Sequence, residues 1–299
     1  MTQGYLIMGV DDHSGIIDVE RVSAPSKSTT NIERASALSK SIKLVDSERE
    51  VCVMVDKFSD VPEKFADDFD YVAELPYGRT DKNHNNIWQD IWQSYYCTPF
   101  DETMMIHPYS LVLDNIELLW LATENVDMAF ATPCDFRYDF DTDIKNIQAQ
   151  QRNNIEPLSA KVIYFKKEQR PAEFFKMADV IFREWRDIYR DYLPEYSPDD
   201  FDIDVMCSVV ADMIGETFPK IESFDFTDLD IDILYDPESE ENQDWHEQYA
   251  VWMTDTLKLK INNYGQTGVF HYEYADFMTP ANLGKIDAHF SGTKDKRRT

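Results

Sequence analysis

Ile87 to Trp120, IWQDIWQSYYCTPFDETMMIHPYSLVLDNIELLW, is the stretch that decides the fold. Its apolar residues Ile87, Trp88, Ile91, Trp92, Tyr95 and Tyr96 recur every three or four positions, which predicts a helix. The pattern breaks at Cys97-Thr98-Pro99-Phe100, and Asp101-Glu102-Thr103 then leads into a short apolar strand, Met104-Met105-Ile106. Helix, turn and strand in that order make half of a βαβ unit. Helices cover both faces of such a sheet, so ligands are left the loops beyond the carboxyl ends of the strands. The loop after this strand begins His107-Pro108-Tyr109.

The preceding chain supplies the other half. Tyr5-Leu6-Ile7-Met8-Gly9-Val10 reads as a first buried strand, and residues 11 to 30 as a polar loop over the same sheet edge. Asn31 is the expected N-cap of a helix with apolar positions Ile32, Ala35, Leu38 and Ile42. Val51 to Val55 is the second strand, ending at Asp56. Strand, helix, strand gives a parallel pair through a right-handed crossover, the start of a nucleotide-binding sheet. The chain has no dinucleotide-type glycine fingerprint, P-loop, nucleophile elbow or zinc spacing, which argues against nicotinamide and flavin chemistry. Residues 71 to 86 join a short strand to the central helix and carry Arg79 and Lys82, cations at a helix start where phosphate is readily held. Ordinary surface charges are the competing reading of that pair.

Beyond the central stretch, Asp127 to Phe136 reads as a strand and a turn and Val162 to Phe165 as the next strand, with a polar excursion over 135 to 154. Pro171 opens a helix whose stripe of Phe174, Phe175, Ala178, Ile181, Phe182, Trp185, Ile188, Tyr189 and Tyr192 is core packing. A further helix starts in the acidic run around Asp202 and Asp204, where carboxylates suit the helix dipole. Residues 222 to 244 alternate acidic and apolar and predict edge strands; their Asp230-Ile231-Asp232 arises easily by chance in so acidic a chain. A helix is expected around Trp245, Tyr249 and Trp252, and the basic end Lys294 to Thr299 is expected to be disordered.

The 299 residues, 43% of them hydrophobic, suit one large α/β domain over 1–277 followed by a C-terminal segment over 278–299. Lys and Arg number 29 against 57 Asp and Glu, a net charge of -28 that repels phosphate-rich partners over most of the surface. A broad nucleic-acid face is thereby disfavoured, whereas a local basic cleft for a small anion is not. Cys52, Cys97, Cys134 and Cys207 are widely spaced and read as reduced thiols, which with no ~18-residue apolar run and no cleavable leader predicts a cytoplasmic, non-membrane protein.

The central stretch also carries a resemblance. Tyr95-Tyr96, Cys97, Thr98-Pro99-Phe100, Asp101-Glu102-Thr103 and the following strand resemble phage-encoded GT-A-type (family-8-like) nucleotide-sugar glycosyltransferases, as do the opening Gly4-Tyr5-Leu6-Ile7 and Ser41-Ile42-Lys43. The resemblance implies a GT-A-like (Rossmann-like) mixed, mostly parallel sheet flanked by helices. It implies transfer of a sugar from a nucleotide-sugar donor to an acceptor hydroxyl, with a modified DNA base or a glycan as the acceptor. Gly9, Asp56, Arg79, Lys82, His107 and Tyr109 would then meet the donor, and Asp204, or else Asp202, would face the sugar or acceptor. Relatives place Asp-x-Asp after the central strand to hold a divalent metal, Mn or Mg; this chain has His107-x-Tyr109 there. His107, Asp114 and His271 are the candidate replacement ligands, with Tyr264 to Tyr272 as the C-terminal return to the site. Two rival readings stay open: a metal-independent transferase using Arg79, Lys82 and His107, and a binding or structural protein that kept the fold and lost catalysis.

Overall fold

The computed structural model describes residues 1–10, 30–80, 87–114, 116–132, 149–193, 201–221, 251–261, 264–272 and 277–297. Its centre is a seven-stranded sheet. Strands β1 (Gln3–Met8), β2 (Glu50–Val55), β3 (Tyr71–Glu74) and β4 (Glu102–Ile106) run parallel in the order β3-β2-β1-β4. The order continues through β7 (Ser159–Lys166), β6 (Met128–Ala131) and β8 (Lys220–Ile221), with β7 antiparallel to both neighbours. The sheet is therefore mixed and mostly parallel, as the strand and helix order predicts.

Alternation along each strand splits the core between two faces. Tyr5, Ile7, Met104, Ile106, Val162 and Tyr164 meet α1 (Asn31–Val45) and α3 (Glu117–Thr123) through Ile32, Leu38, Ile42 and Trp120. Leu6, Met8, Met105, Ile163 and Phe165 face Ile91 and Trp92, together with α4 (Gln169–Arg183) and α6 (Ile203–Met213). Two small pairings complete the frame: β5 (Ser110–Val112) with β12 (Val269–His271), and β10 (Leu259–Ile261) between β9 (Val251–Met253) and β11 (Tyr264–Gly265). No helix among the described residues is long and apolar enough to cross a membrane.

Several local expectations are corrected. The segment from Ile87 is a 3-10 helix to Gln93 and only then a single α turn, α2 (Ser94–Cys97). The tighter winding stacks residues i and i+3, so buried Asp90 and Gln93 both reach the preceding turn: Thr80 N–H donates to Asp90 at 2.6 Å and Gln93 Nε2 donates to Gly78 O at 2.7 Å. Thr30, not Asn31, caps α1, because its hydroxyl and the Glu33 carboxylate form a reciprocal capping box. The helix expected through Tyr192 breaks at Glu184 into α4 and α5 (Trp185–Tyr192). Trp252 lies in β9 rather than a helix, opposite Lys260, whose ammonium sits 5.3 Å from the indole centroid. The C-terminal segment is helical as α7 (Pro280–Arg297), past the start of the expected basic tail, and is pinned to α1 by a 2.6 Å Lys40–Asp287 ion pair. The acidic band 222–244, Trp245 and Tyr249 lie outside the described residues.

Candidate functional site

The order β3-β2-β1-β4 reverses direction at β1, since the chain leaves β1 through α1 on one face and reaches β4 through the Ile87–Cys97 segment on the other. Connections diverging to opposite faces open a crevice beyond the carboxyl ends of the two strands, the usual ligand position in open α/β sheets. The ends of β1 and β4 are tied together there by two α1 side chains. Asn31 Nδ2 donates to Val10 O at 2.8 Å, and Arg34 Nη1 donates both to Asn31 Oδ1 at 2.8 Å and to the Tyr109 hydroxyl at 2.9 Å. The guanidinium also lies 4.4 Å from the Tyr109 ring centroid. Arg34 is only 5% exposed, its Nε has no hydrogen-bond partner, and among the described residues no carboxylate pairs with it.

His107 sits at the mouth of β4, its backbone N–H bonded to Lys161 O on β7 at 2.9 Å. Trp88 stacks on its ring at 4.1 Å between centroids, and His271 meets it edge-on at 4.8 Å. β12 brings His271 here by pairing with β5, and its Nδ1 lies 3.1 Å from Ser110 Oγ. Gly268, at a φ of 68° that other residues rarely adopt, leads into β12 and accepts from Leu113 N–H at 2.8 Å. Tyr272 N–H then donates to Tyr109 O at 2.8 Å, closing the C-terminal return onto the loop after β4. Burial above all, with Lys161 and Arg34 nearby, holds His107 well below the ordinary histidine range; burial, His107 and Lys161 do the same to His271. Both rings are neutral at physiological pH.

Lys161 links this pair to α6. Asp204, in the first turn of α6, accepts from Ala160 N–H at 2.7 Å, and Lys161 acts electrostatically on Asp204 and both imidazoles. Burial raises the Asp204 carboxyl above the usual carboxylate range, against the opposing pull of Lys161, the Ala160 N–H and the Ser159 hydroxyl. A carboxyl shifted upward suits proton transfer. Asp202 serves as the N-cap of α6, accepting from Val205 N–H at 3.0 Å.

His107, Tyr109 and His271 thus come together, with Asp204 held at the start of β7 by Ala160 N–H, whereas other expected site residues do not join them. Arg79 is engaged elsewhere: its guanidinium is paired with wholly buried Asp90 at 2.7 Å inside the turn before the 3-10 helix, so its charge already has a partner. Asp56 lies just beyond β2 on the same sheet edge, and Lys82 is outside the described residues. Gly9 is required by packing, since a Cβ there would lie 2.7 Å from Val53 Cγ2 and 3.1 Å from Ile32 Cδ1.

The metal set does not assemble either. Asp114 is exposed beyond β5, and among the described residues no three His, Cys, Asp or Glu side chains gather as ligands. His107 Nδ1 accepts from Tyr109 N–H at 3.2 Å, which leaves the neutral ring's proton on Nε2. A metal-bound imidazole needs the opposite arrangement, one nitrogen bare toward the metal and the other donating outward. Sequence reading missed Arg34, Lys161 and Trp88 as members of the cluster. Lys161 had a legible signal, a lone cation inside the apolar run Ala160 to Phe165, while Arg34 looked like any charge in a first helical turn.

No protein-family model and no curated protein matches this chain. Solved structures similar to it include the galactosyltransferase LgtC in complex with donor and acceptor sugar analogues, at 12% identity over 70% of each chain with a TM-score of 0.42. Mouse xyloside xylosyltransferase 1 is similar at 8% identity over 74% of this chain and 85% of that one, with a TM-score of 0.46. The glycosyltransferase GlyE of Streptococcus pneumoniae is similar at 10% identity, over 83% of this chain and 52% of that one, with a TM-score of 0.41.

Proposed function

We propose that this protein is a GT-A-like glycosyltransferase that moves a sugar from a nucleotide-sugar donor to an acceptor hydroxyl, a glycan or a modified DNA base. The observation that carries the reading is the meeting of His107, Tyr109 and His271 beyond the carboxyl end of β4, beside the strand-order reversal at β1. These are residues that the sequence resemblance assigns to the donor and its diphosphate, drawn from two distant parts of the chain. In the reaction the bond from the sugar's anomeric carbon to the diphosphate oxygen breaks and a bond to the acceptor oxygen forms. The acceptor proton passes to a base, for which Asp204 is the candidate, and the diphosphate leaves as an anion into the crevice.

The test is calorimetric titration with a panel of nucleoside diphosphates and nucleotide-sugars, with and without manganese, followed by detection of the released nucleotide with glycan and hydroxymethylated-DNA acceptors. Binding of one nucleotide family and turnover with one acceptor class are expected. Asp204→Asn is expected to slow transfer by ~10²-fold while leaving donor binding in place, the usual scale for losing a positioned acid or base. Nucleotide binding without turnover on any acceptor would favour the non-catalytic binding protein. No nucleotide binding under either condition would sink the transferase reading.

A further inference from the structure

A buried guanidinium is costly unless an anion compensates it, and Arg34 has none among the described residues. Its hydrogen-bond partners, Asn31 Oδ1 and the Tyr109 hydroxyl, are both neutral, and its Nε is unsatisfied. It is also placed where a ligand would be, bridging the ends of β1 and β4 at the point where the strand order reverses. A second cation, Lys161, is tied to His107 through the 2.9 Å bond from His107 N–H to its carbonyl, and acts on both imidazoles and on Asp204.

The same cations work against a metal. They repel a divalent ion from the His107–His271 pair, and the hydrogen bond into His107 Nδ1 fixes the wrong tautomer for ligation. With the carboxylates of Asp-x-Asp replaced by His107 and Tyr109, the site is organised for an anion and not for a cation.

We infer that Arg34 and Lys161 form a metal-independent binding site for the diphosphate of the ligand, supplying the positive charge that a divalent ion would otherwise bring. The inference rests on the transferase reading for the identity of the nucleotide, but not for the existence of the anion site. Arg34 meets the phosphates through its uncommitted nitrogens and Lys161 through its ammonium. Fixed cations stabilise the leaving diphosphate as charge develops on it, with no need to recruit an ion for each turnover.

The closing experiment titrates the full chain with inorganic pyrophosphate and with the tightest nucleoside diphosphate, in EDTA and in manganese. Arg34→Gln, Arg34→Lys and Lys161→Met are compared, with circular dichroism and urea midpoints to establish folding. Pyrophosphate binding in EDTA is expected, weakened about tenfold or more by Arg34→Gln and by Lys161→Met and partly restored in Arg34→Lys, the scale of one charge-assisted hydrogen bond. Pyrophosphate binding of this kind without any nucleotide binding would keep the anion site and remove the transferase reading. Nucleotide binding only in manganese would do the reverse. Binding in EDTA that folded Arg34 and Lys161 variants leave unchanged would overturn the inference, as would failure of pyrophosphate to bind at all.

Discussion

Two arginines, one at each end of the parallel strands, show what this protein does with a guanidinium when its purpose is structural. Arg49, just before β2, donates to Asp46 at 2.7 Å, to Glu117 at 2.8 and 3.1 Å and to Gln3 at 3.1 Å, and lies 4.7 Å from the Trp120 ring centroid. Asp46 in turn accepts from the Tyr5 hydroxyl at 2.7 Å, and Trp120 Nε1 donates to that hydroxyl at 2.8 Å. Arg34, at the opposite edge, has the same aromatic contact, over Tyr109, but only neutral hydrogen-bond partners. One cation is saturated by two carboxylates, and the other has none among the described residues. In a chain with 57 acidic residues, that difference marks the open end as the one built for an external anion.

The largest expected effect breaks the saturated end. Arg49→Met strands the nearly buried Asp46 carboxylate and is expected to cost about 3 kcal/mol in urea unfolding, the scale for removing one partner of a buried pair. Arg34→Met removes an uncompensated charge and two neutral hydrogen bonds, so its cost to the ligand-free protein is expected to stay within about 1 kcal/mol. Equal losses in the two variants would erase the contrast.

Acidity separates the two ends next. His107 and His271 have folded pKa values below the ~6.5 of an unfolded histidine, so below about pH 6.5 the unfolded chain binds more protons than the native one. Their contribution is present above that pH and lost as pH falls, at up to ~1.4 kcal/mol per pH unit for each ring. Asp46 is held below the usual carboxylate range by the Tyr5 and Arg49 hydrogen bonds, which outweigh the opposing effect of burial. Its contribution therefore survives until pH falls below about 4. Stability measured from pH 7 to 5 should fall with a slope that His107→Asn with His271→Asn flattens and Asp46→Asn does not. An unchanged slope in the histidine double variant would show that these rings are not held neutral.

The sheet was legible because its strands are short apolar runs with clear breaks, and β1, α1, β2 and β4 appear where periodicity put them. His107 and His271 were candidates because the resemblance puts a ligand motif after the central strand and a histidine in the C-terminal return. The pairing of Arg79 was not legible because sequence does not report burial: its partner Asp90 sits among Ile87, Trp88, Ile91 and Trp92, and that pattern gave no hint that a carboxylate would turn inward. Arg34 was missed for the converse reason. Its role depends on Asn31 reaching Val10 and on Tyr109 arriving from 75 residues away, and no local pattern encodes either contact.

The smallest expected effect tests whether Arg34 or the helix start beneath it organises the open end. Thr30 caps α1 through Glu33 N–H at 3.3 Å, with the Glu33 carboxylate returning to Thr30 N–H at 3.1 Å. That box starts the helix whose first residues include Asn31 and Arg34. Thr30→Ala is expected to cost about 1 kcal/mol of stability, with Thr30→Ser near neutral, as for other helix caps. Pyrophosphate affinity should change far less than in Arg34→Gln, because Asn31 still holds Val10 and Tyr109 still holds the guanidinium when the cap is gone. If Thr30→Ala instead weakened pyrophosphate as strongly as Arg34→Gln, the helix start would be the anion's anchor and Arg34 a support for it. The contrast between the two arginines would then lie in how each end of the sheet is held, and no longer in which of them awaits a ligand.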